Sequence, residues 1–181
     1  MKKLFTTSVI VIAMLIGMNI NAYAQDNDIK LGGALVLSSG ALGFDEIDNN
    51  IGLRAEVLYP VNEKIRLVGD FTFFFPKESG NVQATVLGVN FNGHYQLYSE
   101  DKLNVYGLGG INIAILSIDF PNQDGNDLGG LDDSTSEFGL NLGAGAEYAL
   151  DFGNLFGELK FAGVGGNADQ LVFGLGVRFN I

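Results

Sequence analysis

Leu171–Val172–Phe173–Gly174–Leu175–Gly176–Val177–Arg178–Phe179–Asn180–Ile181 ends the chain. Leu171, Phe173, Leu175, Val177, Phe179 and Ile181 share one parity, opposed by Gly174, Gly176, Arg178 and Asn180. Successive side chains of a strand point to opposite faces, so a period of two marks a strand with two unlike sides. One side is large and apolar, the other small or polar.

The same alternation recurs upstream. At 29–38, Ile29, Leu31, Leu35 and Leu37 oppose Lys30, Gly32, Ala34 and Ser38. At 51–59, Ile51, Leu53, Ala55, Val57 and Tyr59 oppose Gly52, Arg54 and Glu56. At 65–75, Ile65, Leu67, Phe71, Phe73 and Phe75 oppose Arg66, Asp70 and Thr72. At 82–98, Leu87, Val89, Phe91, Tyr95 and Leu97 oppose Gly88, Asn90, Asn92, His94 and Gln96. The stretch 103–118 is less regular, because Tyr106 and Leu108 join the face of Asn104, Gly110, Asn112 and Ala114. At 136–149, Phe138, Leu140, Leu142 and Tyr148 oppose Glu137, Gly139, Asn141, Gly143, Gly145 and Glu147. At 155–163, Leu155, Leu159 and Phe161 oppose Glu158, Lys160 and Ala162.

The connections are of two kinds. Pro60–Glu63, Ser99–Asp101 and Asp151–Asn154 are compact turns, whereas Ser39–Asn50, Pro76–Gly80, Asp119–Thr135 and Val164–Gln170 are mostly longer. An even number of amphipathic strands, with short turns at one end and longer loops at the other, is the signature of an outer-membrane barrel. The expected fold is all-β: an eight-stranded antiparallel up-and-down transmembrane β-barrel.

The first residues agree with export. Met1, Lys2 and Lys3 precede an apolar run from Leu4 to Ile20, and Ala22–Tyr23–Ala24 supplies a small-x-small cleavage site. This reads as a secretory signal peptide at 1–24, leaving a β-barrel domain at 25–181. Its removal takes away two lysines and no acid, moving the net charge from −11 to −13. No later apolar run is long enough for a transmembrane helix. Cysteine is absent, which excludes disulfides, Cys-ligated metals and a lipid-anchored N-terminus. The acidity and the lack of any basic patch disfavour nucleic acid.

Parity alone does not say which face looks outward, and a soluble periplasmic ligand-binding barrel would turn its apolar face in. The apolar face here is continuous and free of charge within each span, as contact with lipid requires. The opposite face mixes small residues with five bases (Lys30, Arg54, Arg66, Lys160, Arg178) and five acids (Glu56, Asp70, Glu137, Glu147, Glu158). These ten are expected to form a compensating lumen charge network of structural purpose. Tyr59, Tyr95, Tyr98 and Tyr148 lie beside short turns, where their amphipathic rings would form an aromatic girdle.

The export signal, the eight amphipathic strands and the final strand 171–181 resemble small outer-membrane β-barrel proteins of the OmpX/OmpA-transmembrane-domain type. The resemblance implies insertion into outer-membrane lipid of a Gram-negative bacterium. It also implies that the assembly machinery reads strand 171–181, with Ile181 where the family usually has an aromatic and Phe179 on the same face. A monomer is expected, with no further domain after the barrel.

Catalytic signals are weak. His94 is the only histidine, and a lipid A deacylase would want a serine at position 96, where this chain has Gln96. Asp45, Glu46 and Asp48 in one loop, and Asp119, Asp124, Asp127, Asp132 and Asp133 in another, are oxygen donors suited to divalent cations. Their spacing is not that of an EF-hand, and solvation explains acidic loops equally well. Glycine-rich stretches at 107–110 and 163–166 lack a following helix and are not phosphate loops. No catalytic, cofactor-binding or metal residues are therefore expected. The reading is a non-enzymatic structural or surface-interaction barrel acting through acidic external loops, with a narrow pore or small-solute transporter as the alternative.

Overall fold

A computed structural model describes residues 29–39, 50–79, 82–119, 133–165 and 169–181. The signal peptide expected at 1–24 falls outside them. Eight strands follow in order: β1 (Lys30–Ser39), β2 (Asn50–Pro60), β3 (Ile65–Ser79), β4 (Val82–Glu100), β5 (Leu103–Asp119), β6 (Asp133–Leu150), β7 (Gly153–Val164) and β8 (Gln170–Asn180). Each pairs antiparallel with its neighbours in sequence, and β1 pairs with β8 from Lys30↔Asn180 to Ser39↔Leu171. The sheet thus closes into a barrel without a free edge, which satisfies the backbone inside the wall itself.

The strands run further than the alternation alone defines. The connection expected at 76–80 is instead strand up to Ser79, and β4 resumes at Val82. Pro76 carries no N–H for the ladder, and the β3–β4 register shifts between Phe74 and Lys77 to pass it. The break in alternation there is a bulge, not a loop. Likewise β6 starts at Asp133 rather than 136.

Burial follows the parity closely. Leu31, Leu53, Leu67, Phe91, Leu142, Phe161 and Leu175 point outward and exposed, while Arg54, Arg66, Asn92, Glu147, Glu158 and Arg178 are buried in the lumen. This is a protein turned inside out, the reverse of a soluble ligand-binding barrel, and the observation removes that alternative.

The lumen also holds an apolar layer that alternation of unlike faces does not reveal. Val36, Phe74, Val86, Ala162 and Val172 form one buried cluster, with Leu116 packed against it. They lie toward the end of the long connections and make a septum across the barrel. Gly52 creates room for it, being paired with both Val36 and Phe74. A Cβ on Gly52 would collide with the Phe73 carbonyl and sit 3.0 Å from Phe74 Cα and Cδ1. By contrast, Gly157 has nothing within 4 Å of where its Cβ would be. Overpacking typically costs about 1–3 kcal/mol, so Gly52→Ala lowers stability by that amount while Gly157→Ala leaves it within about 0.5 kcal/mol. Urea unfolding of the vesicle-embedded protein measures both.

Candidate functional site

Below the septum the lumen is a stack of charged and amide side chains, placed by the inward positions of all eight strands. Nearest the short turns, Glu147 on β6 accepts from three cations. Lys30 Nζ reaches its Oε1 at 2.9 Å, and Arg66 Nη1 and Arg178 Nη1 reach its Oε2 at 3.0 and 2.8 Å. Arg178 donates through Nε to Glu56 Oε1, tying β8 to β2 across the lumen. A single guanidinium thereby holds two carboxylates on different strands.

The middle of the stack is aromatic as well as charged. Tyr106 has no exposed surface, lies parallel to His94 at 4.4 Å, and carries the Arg66 guanidinium 4.8 Å above its ring. Its hydroxyl donates to Glu158 Oε2 at 3.2 Å and accepts from Arg178 Nη1 at 3.3 Å. Arg178 also covers the Phe156 ring at 3.8 Å. Cation–π contact of this kind compensates a desolvated guanidinium without needing another acid.

Higher up, Arg54 Nη1 donates to Glu158 Oε1 at 2.6 Å and its Nε lies 3.8 Å from Asp70. Lys160 Nζ approaches Asp70 Oδ2 at 3.4 Å. Asp70 also accepts from Asn90, Asn92 and Thr72. Asn112 and Asn141 donate onward to Asn90, and Asn141 also to Asn92, extending the polar stack toward the septum.

An eight-stranded lumen has little width, and glycines provide it where long side chains cross. A Cβ on Gly145 would meet the Tyr106 ring, one on Gly32 would sit 2.7 Å from Glu56 Cγ, and one on Gly174 would touch the Arg54 guanidinium. The glycines of the inward face are counterparts of the arginines and the tyrosine.

The structure brings nine of the ten expected charged residues into one set of contacts: Lys30, Arg54, Glu56, Arg66, Asp70, Glu147, Glu158, Lys160 and Arg178. Glu137 is not brought into it. It is half-buried opposite Ala114, beyond the Asn residues, and makes no ion pair among the described residues. The expected balance of five bases and five acids becomes five cations against four carboxylates. Tyr59, Tyr95, Tyr98 and Tyr148 all face outward at the short-turn end, each close to half exposed. The side chains of the loop acids considered for divalent cations lie outside the described residues.

Three features here escape a reading of the sequence. Tyr106 stands in the alternation only as an irregularity, yet it is the centre of the stack. His94 faces a tyrosine and Glu158, and is closed off from both ends. The septum residues share the parity of Arg54 and Glu158, and that shared parity is the one signal that could have found them.

Removing one partner of a buried pair costs about 3–5 kcal/mol, because a charge is left uncompensated. Arg178→Gln strands Glu56 and part of Glu147, so it loses about that much, whereas Glu137→Gln changes stability by less than about 0.5 kcal/mol. Denaturant midpoints of the refolded protein distinguish the two.

A family model described as outer membrane protein beta-barrel domain matches residues 10–179. No curated relative matches the chain. Among solved structures, Neisserial surface protein A is similar at a TM-score of 0.63 and 16% identity, covering 87% of this chain and 98% of that one. The attachment invasion locus protein of Yersinia pestis, solved with the heparin analogue sucrose octasulfate, gives 0.58 and 16%, with 84% and 97% covered. A major outer membrane protein of Thermus thermophilus gives 0.54 and 14%, with 87% and 100% covered. At these identities the structural likeness establishes the fold alone.

Proposed function

The chain belongs to the outer-membrane β-barrel domain family, and on that premise we propose that it is a non-enzymatic surface-interaction barrel of a Gram-negative outer membrane. The observation that carries this reading is the filled lumen: ion pairs and amides from the short turns upward, then an apolar septum. With the interior occupied, the ends and the outer wall are what remain for contact with other molecules.

The outer wall is suited to lipid, and the four tyrosines to the interface beside the short turns. That orientation puts the long connections outside the cell. Residues 40–49 and 120–132 contain Asp45, Glu46, Asp48, Asp124, Asp127 and Asp132 and no Lys or Arg. Such an end attracts cationic partners. It repels polyanions of the kind bound to the Yersinia pestis structure, so that ligand does not transfer. Cleavage after Ala24 accompanies export, strand 171–181 addresses the assembly machinery, and the closed barrel functions as a monomer. The buried charge network holds the strands together, and His94, fully enclosed, has no route to a substrate.

The surface role is tested with an oligolysine peptide and vesicle-embedded protein. Replacing the six loop acids by Asn or Gln weakens binding by about tenfold, equivalent to about 1.4 kcal/mol, and salt weakens it in the parent chain. Equal binding by both chains overturns the reading.

The pore alternative is opposed by the septum, since a narrow apolar constriction excludes water and ions. In planar bilayers the parent chain gives no stepwise conductance, whereas Phe74→Ser combined with Val86→Ser produces steps. Steady conductance by the parent chain would restore the pore.

A further inference from the structure

At the short-turn end the lumen opens into a cavity of about 560 Å³, and a second cleft, of about 700 Å³, lies beside it on the outer face of the barrel. The outer cleft is lined by Tyr98, Glu100, Asp101, Lys102, Leu103 and Tyr148, from the β4–β5 turn and the adjoining end of β6. Asp101 and Lys102 stand on the rim that cavity and cleft share.

A departure from alternation builds this cleft. The β4–β5 register shifts between Gln96 and Tyr98, and the extra residue turns Tyr98 outward although it has the parity of the buried Asn92 and His94. Tyr98 thereby joins Tyr95 and Leu97 on the outer face, and its hydroxyl donates to Glu100. Glu100 pairs with Leu103, and Leu103 with Tyr148, so an acid, an aliphatic and a second tyrosine stand in one row. Toward the membrane centre the wall is low, because Ala146 pairs there with Gly157, whose Cβ would have nothing within 4 Å. The surface thus passes from charge through tyrosine to apolar wall, in the order of the environments across a lipid interface.

The polar edge carries two carboxylates and one ammonium: Glu100, Asp101 and Lys102. An anionic headgroup would meet two acids for one base. A zwitterionic headgroup meets its complement, with its phosphate beside Lys102 and its ammonium beside the acids. A primary ammonium brings three N–H donors to those carboxylates, whereas a trimethylated one brings none.

We propose that this cleft binds one phospholipid whose headgroup carries a phosphate and a primary ammonium, the ammonium held by Glu100 and Asp101 and the phosphate by Lys102. Its acyl chains lie along the low wall above Tyr98 and Tyr148. The site is independent of the loop chemistry at the far end.

The test uses the full barrel in phosphatidylcholine nanodiscs and follows the backbone amide resonances of Lys102, Leu103 and Tyr148. Phosphatidylethanolamine, which differs from the host lipid in its unmethylated ammonium, shifts them saturably as its mole fraction rises. Phosphatidylglycerol needs a mole fraction at least about tenfold higher for the same shift. Glu100→Gln combined with Asp101→Asn removes the preference for phosphatidylethanolamine and leaves Lys102 to favour phosphatidylglycerol. Both changes keep the shape of the side chain, and asparagine suits the left-handed backbone of residue 101 (φ 49°). Glu63→Gln, on the neighbouring turn and outside the cleft, leaves the preference as in the parent chain. If the double variant fails to fold, the comparison of the two added lipids in the parent chain decides by itself. A shift that grows linearly without saturating, or one produced equally by phosphatidylglycerol, overturns the proposal.

Discussion

Arg178 is where the structure is most constrained. Completely buried, it bonds Glu56 and Glu147, meets the Tyr106 hydroxyl and covers Phe156, so contacts from β2, β5, β6 and β7 converge on one guanidinium of β8. A charge in a narrow lumen has little water to turn to, and the alternative to pairing is a desolvation cost of several kcal/mol. The other inward charges are arranged around that requirement. Glu147 serves three cations, Glu158 is shared by Arg54 and Tyr106, and Asp70 ends the stack among asparagines. The strand pairings close the wall, and this network fills what the wall encloses.

The filling is not uniform, and its two halves do different physical work. The charged half holds distant strands together and keeps an open cavity at the short-turn end. The apolar cluster crosses the lumen by ordinary close packing, with buried Ser38, Asn50 and Gln170 at the next inward positions of β1, β2 and β8. A barrel built this way does not need to conduct in order to be stable.

The high glycine content belongs to the same logic. On the inward face, glycine marks places where a neighbour is too large for even a methyl group opposite, as at Gly145 beneath Tyr106 and Gly52 beside Phe74. A smaller share serves the outer wall, where Gly157 simply presents backbone. Apart from Phe74, Phe156, Leu58 and Leu108, which are buried in the lumen, the phenylalanines and leucines of the strands lie mostly on the outer wall, and the excess acid lies in the connections. Composition averages over environments that the fold keeps apart.

Alternation in β2, β6 and β8 suffices to identify strands, closure into eight, the outward set and the inward charges, because the period of two is a local property of extended chain. Even the bulge near Pro76 is visible as a break, although a break by itself looks the same as a loop. Which inward residues meet is not legible. Arg178 and Glu56 are far apart in sequence, and Glu137 shares every local feature of Glu147 yet lies beyond the network. Strand register and tilt set the height of each side chain in the lumen, and these depend on all eight pairings at once. The barrel and its two faces are therefore written in the residues one strand at a time. The division of the lumen into a charged cup and an apolar septum arises only on closure, because height along the barrel axis is a property of the closed sheet and not of any strand.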